Sequence, residues 1–209
     1  MGEDCLLEGL TLHLNCSGNN DNVVLRGIVF DGTSSQTSKI RTTYIYVNNK
    51  TMTLSSNVFG IEFLGITDLN GFSRNSVKNS MIHIYSNGNG LKRGILISGT
   101  NRVSIRDSNI YVYEPTSNDS HGSYVGVETD DSSNIGTIEI RNSTIGVVLP
   151  IDASYNASDI LQTKPENILD PTYLINSGIQ IGPGTDLLSK SAGGKDFLLM
   201  FTPPLFIMD

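Results

Sequence analysis

Two glutamates and four basic residues recur at matching places along the chain, and their types and spacing suit chemistry at a surface. Glu62 and Glu128 each stand third in a Gly-Ile-x-Ile-like segment, Gly60-Ile-Glu-Phe and Gly126-Val-Glu-Thr. If that third position points outward from stacked strands, it builds one column of Val29, Glu62, Leu96, Glu128 and Gln180. The two carboxyls are then two strands apart, roughly 10 Å at about 4.8 Å per strand. Inverting glycoside hydrolysis uses carboxyls about 6.5–9.5 Å apart, one as acid and one as base for a water. The match is marginal, and Val29 and Leu96 in the same column point more to burial under loops or a partner than to a sugar cleft. Arg41, Lys78, Arg106 and Arg141 stand second in another recurring segment and form an outward basic column. Stacked like charges destabilise a sheet. A solvated face relieved by Asp107, Glu139 and salt is one reading of that column, and a ladder for an anionic glycan is the other.

Other polar groups carry less. Asp130-Asp131 lies in Asp-Asp-Ser-Ser-Asn, the composition of a solvated turn. A hard cation wants six or more oxygens, and no further acidic group is near in sequence, so no metal is expected. His121 precedes Gly122 in a loop, where an ordinary loop histidine is the default and a catalytic one the alternative. Cys5 and Cys16 can pair in an extracellular setting or stay as two thiols; two cysteines make no framework. Asn-x-Ser/Thr sequons occur at Asn15, Asn49, Asn118, Asn142 and Asn156, and they matter only on a secretory route.

The elements that must position these residues are visible as two interleaved repeats. Gly27-Ile-Val-Phe, Gly60-Ile-Glu-Phe, Gly94-Ile-Leu-Ile and Gly126-Val-Glu-Thr have glycines 33, 34 and 32 residues apart. Between them run Ile40-Arg-Thr-Thr-Tyr-Ile45, Val77-Lys-Asn-Ser-Met-Ile82, Ile105-Arg-Asp-Ser-Asn-Ile110 and Ile140-Arg-Asn-Ser-Thr-Ile145. Fixed-order recurrence at such a period signals a solenoid. Apolar and polar residues alternate around each copy, so each half is a strand with one face inward. Asp107-Ser108 and Asn142-Ser143 suit a short turn between the two halves. Each repeat therefore reads as a Gly-Ile-x-Ile strand opening the coil, a loop, a strand, a short polar turn, a strand and a longer loop. The glycine is expected to let the chain bend out of a loop without a Cβ clash.

This alternating pair of motifs, from roughly Val23 to Ile181, resembles the pectin-lyase-like superfamily of right-handed parallel β-helices, closest in character to viral fibre and tailspike members. An antiparallel sandwich is the competing architecture. The resemblance implies three parallel strands per coil. It spans lyases, hydrolases, fibres and adhesins, so it says little about activity. Lyases of the superfamily cluster aspartates for Ca²⁺ beside a basic residue. Hydrolases carry paired aspartates near Gly-His-Gly. Asp130-Asp131 is present, but Gly-His-Gly is not.

The expected fold is all-β: a right-handed parallel β-helix of about five or six coils with an irregular C-terminal segment. The β-helix domain is placed at 1–196, with clear coils over about 23–181, and an apolar tail at 197–209. Gly146-Val-Val-Leu is expected to extend the third strand after Ile145, and Pro150–Thr172 to be a loop with room for a short helix. Gly178-Ile-Gln-Ile is expected to resume the coil. Three alanines against 20 asparagines suit strands and turns rather than helices. A net charge of −7 disfavours a general nucleic-acid binder. No apolar run reaches the roughly 18 residues of a membrane span.

Together these features favour a non-enzymatic structural or glycan- or receptor-binding protein on a virion or other extracellular surface, without a cofactor. The alternative is a carbohydrate-active enzyme, lyase or hydrolase, working on the Gly-Ile-x-Ile face. The tail from Phe197 to Met208 holds enough apolar side chains to cap a coil stack or to join protomers. A homotrimer is the oligomer expected.

Overall fold

The structure, a computed structural model, describes residues 5–17, 23–31, 37–50, 56–64, 75–86, 90–98, 102–113, 122–130, 137–148, 156–162, 174–175 and 178–181. These residues form a parallel β-helix, coil upon coil. The first coil is β1 (Cys5–Glu8), β2 (Thr11–Cys16) and β3 (Val23–Asp31). The second is β4 (Ser38–Arg41), β5 (Tyr44–Asn49) and β6 (Ser56–Leu64), and the third β7 (Asn75–Lys78), β8 (Met81–Ser86) and β9 (Leu91–Ser98). The fourth is β10 (Arg102–Arg106), β11 (Asn109–Tyr113) and β12 (Ser123–Asp130). The fifth is β13 (Thr137–Arg141), β14 (Thr144–Val148) and β15 (Asn156–Gln162). β16 (Leu174–Ile175) and β17 (Gly178–Ile181) begin a sixth.

Corresponding strands pair in parallel and make three sheets. Sheet A runs β1-β4-β7-β10-β13-β16, sheet B β2-β5-β8-β11-β14-β17, and sheet C β3-β6-β9-β12-β15. The architecture is the right-handed parallel β-helix that the repeats imply.

The core is a set of columns, because equal residues in successive coils lie in register. Ile28, Ile61, Ile95 and Val127 pair in one column and are buried. Ile45, Ile82, Ile110 and Ile145 do the same on sheet B and are fully buried. Phe30 and Phe63 stack with ring centroids 5.2 Å apart.

The corner between sheets A and B explains the polar part of the second motif. Thr42, Asn79, Asp107 and Asn142 all have φ between 47° and 51°, and Gly9 holds the same place in the first coil at 67°. Asn and Asp tolerate this left-handed backbone; the β-branched Thr42 is strained there. The next residue supplies a hydroxyl ladder. The amides of Thr43, Ser80 and Ser108 each donate to the hydroxyl one coil on, Ser80, Ser108 and Ser143, at 3.2 Å. Each hydroxyl in turn donates to the carbonyl two residues back, over 2.7–2.9 Å. A buried corner that would otherwise strand its amides is thus satisfied.

Four sequence expectations are corrected. First, the recurring glycine does not open the strand: β3 starts at Val23 and β6 at Ser56, four residues before Gly27 and Gly60. It is needed for close approach between coils. A Cβ on Gly27, Gly60 or Gly94 would meet the carbonyl oxygen of the next coil's glycine at 2.4–2.6 Å and a sheet B isoleucine methyl at 2.4–3.1 Å. Second, the coils begin before Val23. Leu7-Glu8-Gly9-Leu10-Thr11-Leu12 is a first, degenerate copy of the second motif, in register with Ile40–Ile45.

Third, the stretch 150–172 contains β15, which pairs with β12 and puts Asp159 opposite Gly126. Fourth, Gly178-Ile-Gln-Ile belongs to sheet B. Gln180 pairs with Gly146, so it leaves the Glu62 column, where Leu161 stands instead. Gly146-Val-Val does continue the strand after Ile145. The apolar tail at 197–209 lies outside the described residues.

Candidate functional site

The glutamate column lies on sheet C. Val29, Glu62, Leu96 and Glu128 pair in that order across β3, β6, β9 and β12, so the two carboxyls are two coils apart as the spacing requires. Neither is an open acid or base. The strand position just before each glycine carries Arg26, Phe59, Arg93 and Val125, also in register. Each glutamate meets the arginine of the coil before it. Arg26 Nε lies 2.8 Å from Glu62 Oε2, without the alignment of a good hydrogen bond, and its guanidinium sits 5.9 Å from the Phe59 ring centroid. Arg93 Nε contacts Glu128 Oε2, while its Nη1 donates to the Ser123 carbonyl at 2.7 Å.

Both glutamates are buried, at 2% and 8% exposure. Burial raises the pKa of Glu62, and Arg26 offsets part of that rise. The arrangement is two arginine–carboxylate pairs that lock neighbouring coils. A sugar would have to break such a pair to use either carboxyl.

The basic column lies on sheet A, beside the corner. Arg41, Lys78, Arg106 and Arg141 are consecutive partners in register, with Glu8 next to Arg41 in the first coil. Arg41 and Lys78 are exposed, Arg106 and Arg141 partly so. Arg106 Nε donates to Ser104 Oγ at 2.9 Å. Asp107, at the corner, accepts from Asn142 Nδ2 at 3.3 Å.

Sheet B carries a feature that motif reasoning missed. Its outward positions hold His13 on β2, Tyr44 and Tyr46 on β5, His83 and Tyr85 on β8, and Tyr111 and Tyr113 on β11. Five of the chain's eight tyrosines and two of its three histidines therefore share one face. The rings form a continuous net. Tyr85 and Tyr113 stack at 4.6 Å and 12°, and Tyr46 lies 5.3 Å from Tyr85. His83 meets Tyr44, Tyr111 and Tyr113 edge-on at 5.4–6.0 Å.

Strand pairing places the rings about 4.8 Å apart along the helix axis, within stacking range. They are half-buried against each other except for His13, which is exposed. Burial, with the neighbouring phenols Tyr85 and Tyr111, pushes Tyr113 up to about 12, and Tyr46 is raised for the same kind of reason. These phenols stay protonated and able to donate. Burial lowers the pKa of His83, whose Nε2 has no hydrogen-bond partner. The signal was present as Tyr-x-Tyr around the closing isoleucine of one second motif and as His-x-Tyr and Tyr-x-Tyr directly after two others, but no chemistry-bearing pattern marks a run of alternate aromatics.

Among the described residues no three of His, Cys, Asp and Glu converge on a metal-binding geometry. Asp130 ends β12, while His121 and Asp131 lie outside the described residues. Cys5 and Cys16 are both free thiols. Asn49, a sequon residue, is buried and donates to Ser86 Oγ at 3.2 Å, so it offers no amide for modification. No family model matches the chain, and no curated protein or solved structure matches it either.

Proposed function

We propose that the protein is a non-enzymatic surface protein that binds a glycan or glycosylated receptor through the outer face of sheet B. One observation carries this reading: the net of seven rings, six of them half-buried, laid across four coils of sheet B. Aromatic rings offer flat apolar area to the C–H faces of a sugar, and protonated phenols supply hydrogen bonds at the rim. Exposed Asn15 and half-buried Asn48 and Asn109 flank the rings with amides.

The hydrolase reading would need free carboxyls at Glu62 and Glu128, and both are held by arginines. The same reading places the chain with fibre- and tailspike-like members of the pectin-lyase-like superfamily, on a virion or other extracellular surface. It includes a homotrimer, for which exposed Val29 and the apolar tail offer contact area.

A glycan array probed with wild type and with Tyr85→Ala/Tyr113→Ala tests the proposal, run beside reducing-sugar and unsaturated-product assays. Binding lost in the double variant, with no turnover of pectate or pectin, is the expected result. Turnover that disappears in both Glu62→Gln and Glu128→Gln would replace this reading with the enzyme.

A further inference from the structure

The charge on this molecule is distributed unevenly around its three faces. The chain has 21 acidic residues, yet none lies in any strand of sheet B: Thr11–Cys16, Tyr44–Asn49, Met81–Ser86, Asn109–Tyr113, Thr144–Val148 and Gly178–Ile181 contain neither Asp nor Glu. An acidic protein thus keeps one whole face uncharged and fills it with rings. The border of that face is basic. Only two corner residues separate Arg41 from Tyr44, Lys78 from Met81 and Arg106 from Asn109. The corner is closed by the hydroxyl ladder, so its geometry repeats from coil to coil. The result is a cation ladder and an aromatic strip that run side by side along the helix axis, both at the strand spacing of about 4.8 Å.

We infer that the glycan bound here is an anionic, extended polysaccharide lying parallel to the helix axis over this corner. Its acid groups meet Arg41, Lys78, Arg106 and Arg141, and its sugar faces rest on the adjoining sheet B rings. This inference rests on the proposed glycan-binding face and names the ligand class it takes. The advance of one residue in an extended pyranose chain is close to the strand spacing, and because successive residues of a β-1,4-linked ribbon are turned over, the carboxylates on one edge fall beside about every second cation of the ladder. The like charges that disfavour the empty column are then neutralised by the ligand. Glu8, Asp107 and, two residues before Arg141 on β13, Glu139 are acidic residues beside the ladder. They stand in the first coil, at one corner and on β13, and leave Lys78 facing no carboxylate of its own column.

The test is a calorimetric titration with three probes: a β-1,4-linked mannuronate hexasaccharide, its neutral counterpart mannohexaose, and a hexameric oligodeoxythymidylate. Wild type is compared with Arg41→Gln/Lys78→Gln, a pair of exposed side chains whose loss should leave the thermal midpoint unchanged or higher. The inference expects the mannuronate to bind at least tenfold more tightly than mannohexaose. That advantage shrinks as salt rises from about 50 to about 200 mM, because binding releases counterions. The double variant should lose the advantage and keep its fold. Equal binding of both hexasaccharides, indifferent to the variant, overturns this inference and leaves the glycan-binding face standing. Tighter binding of the oligodeoxythymidylate overturns it in favour of a single-stranded nucleic acid. Binding of none of the three, together with an empty glycan array, overturns both.

Discussion

Replacing Gly94 by alanine tests why glycine recurs in sheet C. An added Cβ would stand 2.4 Å from the Gly126 carbonyl oxygen and 2.4 Å from Ile110 Cγ2. Ordinary contact starts at 3.4 Å, so about 1 Å of separation has to be found on two sides. The carbonyl belongs to the next coil, and parallel hydrogen bonds hold the coils at about 4.8 Å. Ile110 is fully buried in the sheet B column and cannot retreat. The cost should lie at the upper end for an overpacked core, about 3 kcal/mol.

Gly27 faces the Gly60 carbonyl at the same 2.4 Å, but β3 is an edge strand with exposed Arg26 and Val29 on either side of Gly27-Ile28. It can swing outward, so Gly27→Ala should cost only about 1 kcal/mol. Urea unfolding followed by far-UV circular dichroism gives both numbers. A Gly94→Ala protein within about 0.5 kcal/mol of wild type, or a costlier Gly27→Ala, would refute close approach as the reason for the glycine.

Further outcomes are expected. Ser108→Ala removes the acceptor of the buried Ser80 amide and should cost about 1–3 kcal/mol by urea unfolding. Glu128→Leu removes the carboxylate that balances the charge of Arg93, whose side chain is 4% exposed, and should cost about 3–5 kcal/mol. Glu62→Leu frees Arg26, which is 51% exposed, and should cost under about 1 kcal/mol in the same measurement. His83 has a folded pKa below its unfolded value of 6.5, so the unfolded state binds more protons as pH falls. Its contribution is complete above that value and is lost as pH drops through 6.5 toward the folded pKa. A thermal midpoint that falls between about pH 7 and 5, with a shallower slope in His83→Phe, is the result expected. Light scattering should give a trimer mass that drops to a monomer when residues 197–209 are deleted. A monomer mass before and after the deletion, with lower thermal stability, would make the tail a cap.

The architecture was legible because it is written in repeats. Ile45, Ile82, Ile110 and Ile145 hold one place in one motif, and stacking turns that place into a core column. What the motifs could not convey was which physical demand each residue meets. The glycine at 27, 60 and 94 marked a real constraint, but a strand start and a tight contact leave the same letter in the sequence. The first coil was hidden because Glu8, Gly9 and Leu10 depart from the basic, polar and hydroxyl pattern that the later coils share. β15 was hidden because Asp159 stands where a glycine was sought.

The register of Val29, Glu62, Leu96 and Glu128 was legible, Gln180 proved to stand on sheet B, and the chemistry of the column was hidden. Arg26 and Arg93 lie 36 and 35 residues before Glu62 and Glu128, and only the pairing of strands brings them together. The aromatic face was overlooked for a related reason. Single alternate tyrosines are ordinary strand residues, and they become a surface only when β5, β8 and β11 are laid side by side.

Side-chain NMR of the protein with bound oligosaccharide tests the central claim most directly. Either the mannuronate hexasaccharide or mannohexaose serves, whichever binds. The account predicts shifts in the ring signals of Tyr44, Tyr46, Tyr85, Tyr111 and Tyr113 on sheet B, with buried Tyr124 and the Arg93 guanidinium of sheet C unmoved. Shifts at Arg93 and Arg26 with a silent tyrosine face would contradict it and place the ligand over the glutamates of sheet C.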